Sequence, residues 1–109
     1  MMSREMHSVK SYLFARYGCY CEVCGRKFKP NELTGHHIIM KCKGGKINRH
    51  NIMLACHHCH FVVINSIPYN TKEYWRLMWK SLAHRDPEDI GNLQPCGQLI
   101  NLAEGQDHE

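Results

Sequence analysis

Cys21-Glu-Val-Cys24 and Cys56-His-His-Cys59 are two C-x-x-C pairs with 31 residues between them, and no other feature restricts what this chain can fold into so strongly. A tight turn lets each pair present two thiolates to one metal, and Gly25, directly after Cys24, suits a knuckle that needs a left-handed residue. Four thiolates close a tetrahedral Zn2+ site and leave no position for water, so the predicted zinc is structural. Structural zinc contributes ~10–16 kcal/mol of apparent folding free energy, whereas a whole domain is stable by only ~5–15 kcal/mol. Cys19 competes with Cys21 as a ligand because C-Y-C-E-V-C offers two geometries, although the two-residue spacing fits better. Cys42 and Cys96 have no partner at ligand spacing and read as ordinary small side chains.

With 109 residues the chain has room for one domain with trimmings. No signal-peptide core stands near the N-terminus, and apolar runs such as 61–64 are far too short to span a bilayer. A soluble, cytoplasmic protein without a membrane partner is therefore expected. Seven cysteines in that compartment again favour metal binding over disulfides.

Charge divides the chain. Residues 1–85 hold all 14 Lys and Arg and a net charge of +10, while residues 86–109 carry six acids, no Lys or Arg, and −6. A basic body points to a polyanionic partner, most simply nucleic acid. Lys41, Lys43, Lys46 and Arg49 surround one glycine-containing loop, and Arg26, Lys27 and Lys29 follow the first knuckle. Lys72, Arg76 and Lys80 recur every four residues, so they form either a phosphate-contacting stripe or a solvated helix face.

The periodicity of Met6, Val9, Leu13 and Tyr17 predicts a helix over 3–17 with Gly18 as its C-cap. A metal-bound core over 19–66 follows, with a hairpin of two short strands, Ile38 to Met40 and Ile52 to Ala55. A second helix is predicted over 70–84: Asn70 caps it with Glu73 as reciprocal partner, and Tyr74, Trp75, Met78, Trp79 and Leu82 form a core-facing stripe. Residues 86–109 read as an acidic, irregular tail in which Leu99 to Leu102 dock.

The stretch between the cysteine pairs is longer than a plain zinc ribbon needs. Its content of H-H-I-I at 36–39, G-G at 44–45 and N-I-M-L at 51–54, framed by C-E-V-C-G at 21–25 and C-H-H-C-H at 56–60, resembles the HNH endonuclease family. That resemblance implies an α+β, ββα-metal core, treble-clef-like, in which a hairpin and a helix surround a catalytic metal beside the structural zinc. It places residues 61–64 on the helix, against their strand propensity. It also makes His37 the general base, His36 and His60 the ligands of one divalent metal, and Asn51 the residue that pins the hairpin loop and supports His37. His36 stands where the family often has aspartate, which shifts preference from Mg2+ towards Mn2+, Ni2+ or Zn2+. Met40 stands where proline is common.

The expected activity is metal-dependent hydrolysis of DNA, duplex and with weak sequence preference because no separate recognition module is visible. The rival reading is a noncatalytic zinc module that binds nucleic acid or protein and needs only the four cysteines. A third is a nuclease domain acting as a toxin or as a component of a larger defence or phage-packaging machine, with a phage or mobile element as a candidate source. His7, His50, His57, His58, His84 and His108 read as solvated or hydrogen-bonded side chains.

Overall fold

The computed structural model describes residues 4–95. Helix α1, Arg4–Tyr17, buries Lys10 and Leu13. It stops at Gly18, whose φ of 86° is open to glycine and whose N–H reaches the Phe14 carbonyl at 2.8 Å. Next comes the first knuckle. Cys21 N–H donates to the Arg26 carbonyl at 2.9 Å and Gly25 N–H to the Cys21 carbonyl at 2.8 Å, turning the chain sharply back on itself.

Strand β1, Leu33–His37, pairs antiparallel with β2, Ile52–Cys56, in a register that sets Leu33 opposite Cys56 and His37 opposite Ile52. All of β2 is buried, so both its faces are covered. A Cβ on Gly35 would meet the sulfur of Met6 at 2.4 Å, so a larger residue there would displace the Met6 side chain.

The first strand thus lies earlier than the apolar run 38–40 predicts. Ile38 does enter the core, and its N–H donates to the Asn51 carbonyl at 2.9 Å. One residue later the side chain of Asn51 replaces the partner strand: Ile39 N–H donates to Oδ1 at 2.7 Å, and Nδ2 donates to the Ile39 carbonyl at 3.0 Å. The chain then leaves the ladder for a short 3-10 turn, Lys41–Lys43.

After β2 the backbone coils at once. His57 and His58 begin a helical segment that widens into a π-turn over Cys59–Val63 and tightens to a 3-10 turn over Ile64–Ser66. Tertiary packing of Cys59 and Ile64 therefore overrides the β preference of the residues between them.

Helix α2, Lys72–Leu82, buries Tyr74, Trp75, Met78, Ser81 and Leu82. Its cap is Thr71 and not Asn70: the Thr71 hydroxyl accepts the Tyr74 N–H at 3.2 Å. Asn70 is instead left-handed, with φ of 63°, and its Oδ1 accepts the Trp75 indole N–H at 2.8 Å.

The acidic segment is not wholly a tail. Asp89, fully buried, accepts the Tyr12 hydroxyl at 2.7 Å and faces Arg16 at 2.8 Å and Arg49 at 3.1 Å, so residues 86–89 close onto α1 through charge pairing. The predicted docking of Leu99 to Leu102 lies outside the described residues, as does Cys96. No helix among the described residues is long and apolar enough to cross a membrane.

Candidate active site and metal centre

Two sites share the hairpin. At one end, Cys21 and Cys24 of the first knuckle meet Cys56, the last residue of β2, and Cys59, the start of the π-turn, with all four sulfurs within 4.8 Å of one another. Zn–S bonds of about 2.3 Å in a tetrahedron require sulfurs about 3.8 Å apart, a separation that falls within the bound set by this cluster. Cys24 N–H points at Cys21 Sγ and Cys59 N–H at Cys56 Sγ, each at 3.5 Å, which suits sulfurs that carry negative charge.

Without a cation four thiolates could not coexist here. Burial pushes the Cys59 thiol far up, contacts with Cys56 and Cys21 push it further, and burial likewise raises Cys24. Cys21 is lowered, its own burial being outweighed by backbone hydrogen bonds from Cys24 and Cys56. Cys19 stays outside the cluster and spends its carbonyl on Phe28 N–H at 2.9 Å. Cys42 is exposed.

The second site lies on the next residue of the same segment. His36 of β1 and His60 of the π-turn meet edge to face, ring centroids 5.1 Å apart and planes at 74°. Nε2 of His36 is 2.8 Å from the Tyr74 hydroxyl, and Nδ1 of His60 is 2.7 Å from the Thr34 hydroxyl. A cleft of about 290 Å3 opens beside them, lined also by Met40, Asn65 and Tyr69. Burial, with the charges of His60 and His37, holds His36 down at about 4; burial, with His57 and His37, also lowers His60. Both imidazoles are neutral near pH 7, the form in which imidazole binds a metal. No carboxylate lines this cleft among the described residues.

His37 does not join the ring pair. Strand alternation turns it from the face that carries Thr34 and His36, and its Nε2 is buried with no hydrogen-bond partner. It is still near enough for its charge to depress both His36 and His60. Burial and then Lys41 lower its own pKa.

Asn51, buried, closes the loop: besides Ile39 it donates through Nδ2 to the Lys46 carbonyl at 2.9 Å. Gly45 leaves no room for a side chain, since a Cβ would lie 1.8 Å from the Ile39 carbonyl oxygen.

Of the predicted phosphate contacts, Lys41, Lys43 and Lys46 are exposed around this loop, and Lys72, Arg76 and Lys80 along α2. Arg49 is committed elsewhere, to Asp89 at 3.1 Å and the face of Tyr12. Asp86, Glu88 and Asp89 also cluster, but Arg16 and Arg49 neutralise them.

Sequence reading missed three features. Tyr74 and Thr34 give no outward sign that they meet the two histidines: one looks like core, the other like an ordinary strand residue. Glu22, between the zinc cysteines, is held by Arg85 at 2.5 and 2.6 Å and by His84 at 2.8 Å, and it accepts Leu54 N–H at 2.8 Å. Burial raises the Glu22 carboxyl, but His84 and Arg85 outweigh that and hold it below its ordinary value. The available signal was a lone acid in a basic knuckle.

Residues 21–61 match the family model described as HNH endonuclease. No curated protein and no solved structure matches the chain.

Proposed function

We propose that this chain, whose residues 21–61 carry the HNH endonuclease pattern, is a metal-dependent endonuclease that hydrolyses phosphodiester bonds of DNA. The observation that carries this reading is the meeting of His36 and His60 across strand and helical turn, 5.1 Å between centroids, beside an open cleft. In it, His36 and His60 hold one divalent cation. Two imidazoles without a carboxylate favour Mn2+, Ni2+ or Zn2+ over Mg2+. A cation held there, when bound, supplies positive charge to the phosphate oxygens as negative charge builds on them.

The protein's own groups do the rest. His37 is the general base: its imidazole, kept neutral by burial and Lys41, takes a proton from water as that water attacks phosphorus. As the new P–O bond forms the P–O3′ bond breaks, and the leaving 3′ oxygen takes a proton from solvent water, which gives 5′-phosphate and 3′-hydroxyl ends. Nε2 of His37 is buried without a partner, which leaves Nδ1 as the nitrogen to take the proton. Asn51 supports this step by holding the backbone two residues beyond His37. Lys41, Lys43 and Lys46, with Lys72, Arg76 and Lys80, contact phosphates of a duplex without reading bases, so sequence preference is weak.

A noncatalytic zinc module is the second reading, supported by a thiolate cluster that is complete without any histidine. One assay separates the two: supercoiled plasmid incubated with zinc-loaded protein and Mg2+, Mn2+, Ni2+ or Zn2+, wild type beside His37→Ala. The enzyme reading expects cleavage by wild type and a loss of ~10²–10⁴-fold in the variant. Equal rates for the two folded proteins, or binding without cleavage in every metal, would end it.

A further inference from the structure

A tyrosine or threonine hydroxyl has a single proton to donate. The Tyr74 hydroxyl gives its proton to the Ile38 carbonyl at 2.5 Å, an oxygen that can only accept. Toward His36 Nε2, at 2.8 Å, it is therefore the acceptor, and Nε2 must bear hydrogen. The same logic holds on the other ring. Thr34 spends its proton on the Ala55 carbonyl at 2.8 Å and accepts from His60 Nδ1 at 2.7 Å. In the neutral pair the lone pairs are thus confined to Nδ1 of His36 and Nε2 of His60.

We propose that Tyr74 and Thr34 are positioning residues that lock His36 and His60 into opposite tautomers and so aim those two lone pairs at one divalent cation. The inference rests on the reading of the two histidines as metal ligands. Hydroxyls in this outer position fix ring orientation, and loss of such a partner typically weakens metal binding by ~10–100-fold. The arrangement draws on both sides of the molecule. Thr34 is two residues before His36 on the same face of β1, while Tyr74 comes from α2, beyond the segment 21–61 that matches the family. Each hydroxyl is itself pinned by a carbonyl of the hairpin region, so the rings are referenced to the backbone that carries the zinc cysteines.

The test uses the full chain with its cysteine site filled by zinc and 15N-labelled histidine. Long-range 1H–15N correlation spectra, recorded before any second metal is added, assign the tautomers at slightly alkaline pH. His36 is expected with hydrogen on Nε2 and His60 with hydrogen on Nδ1, the minority form for a free neutral imidazole. Mn2+ and Ni2+ are then titrated by calorimetry into wild type, Tyr74→Phe, Thr34→Val and Thr34→Ser. The first two variants should bind ~10–100-fold more weakly and show mixed tautomers at the affected ring, while Thr34→Ser should restore both readouts.

Hydrogen on Nε2 of His60 in wild type, or unchanged affinity in Tyr74→Phe and Thr34→Val, would overturn the inference. If Tyr74→Phe fails to fold because the Ile38 carbonyl loses its donor, the Thr34 pair decides alone. Failure of the underlying reading looks different: correct tautomers with no uptake of either ion would remove His36 and His60 as ligands, and this inference with them.

Discussion

The cysteine cluster and the histidine pair sit on adjacent residues, Cys59 and His60, yet they are built in opposite ways. The cluster draws all four donors from two tight turns, and its nearest polar supports are the backbone N–H groups of the cysteines themselves. The pair joins a strand and a π-turn, and its ring nitrogens meet side-chain hydroxyls on β1 and α2. A closed site can be assembled by local sequence. If the histidines hold a cation as proposed, that open site keeps part of its coordination sphere for something else, and its missing constraint comes from the tertiary structure. The dependence should run one way, because the thiolates fix where the π-turn starts while His60 fixes nothing about the thiolates.

Removing the zinc is the harshest test of that asymmetry. A strong chelator, or Cys56→Ala, should abolish cooperative folding, since the ~10–16 kcal/mol at stake equals or exceeds the stability of an ordinary domain. Circular dichroism and thermal melts would show it, and the His36–His60 site should vanish in the same transition. His60→Ala should retain one equivalent of zinc and a cooperative melt. A His60→Ala protein that loses its zinc would mean that the two sites are a single unit.

Glu22 and Arg85 sharpen the comparison next. The pair is almost fully buried, it lies inside the first knuckle, and Arg85 also donates to the carbonyls of Arg49 and Ile52, each at 2.8 Å. Glu22→Gln leaves the guanidinium buried without its counter-charge, and a loss of ~3–5 kcal/mol is expected in denaturant titrations. Zinc content should be unchanged, which would separate support of the knuckle from coordination.

Asn51→Ala comes below that. It strands the Ile39 N–H together with the Ile39 and Lys46 carbonyls, at a cost of ~1–3 kcal/mol for each group that water cannot reach. Activity should fall by more than stability does, because the residue holds the backbone that follows His37. A variant as active as wild type at a temperature well below its melting point would leave Asn51 a structural residue only.

The same contrast decides how much was legible beforehand. Spacing of cysteines is a local property, and the meeting of these four was readable from it. The first strand was not: Ile38 to Met40 has the better β propensity, but the ladder pairs Leu33–His37 with β2, and at Ile39 the Asn51 side chain takes the place of a partner strand. The cap of α2 slipped by one residue because Asn70 and Thr71 are both good caps, and the Trp75 indole took the Asn70 oxygen. Tyr74 shows the deeper limit. Its place on the apolar stripe correctly made it core, at 2% exposure, yet the role proposed for it depends on one oxygen whose two partners, Ile38 and His36, are more than thirty residues away. Periodicity tells which face is buried and says nothing of what a polar tip meets there.

The mildest prediction concerns His37 and its neighbour Lys41. Burial is the larger influence on this imidazole and Lys41 the smaller, and both lower its pKa from the ordinary 6.5. A general base must be neutral, so kcat/KM should be flat at neutral pH and fall as the pH drops through a value below 6.5. Lys41→Gln removes a positive charge that disfavours imidazolium. The pKa should rise, and the acid limb of the profile should move to higher pH while staying at or below 6.5, because burial persists. The variant also loses one phosphate contact, which should raise KM and steepen nothing in the pH dependence. A limb that moves to lower pH would contradict the electrostatic assignment. A limb that does not move at all would give the titration to another group, of which His60 is the nearest candidate because burial lowers it from the same starting value. Repeating the profile with His60→Ala, at metal concentrations high enough to compensate for the lost ligand, would then tell the proton acceptor from the metal ligand.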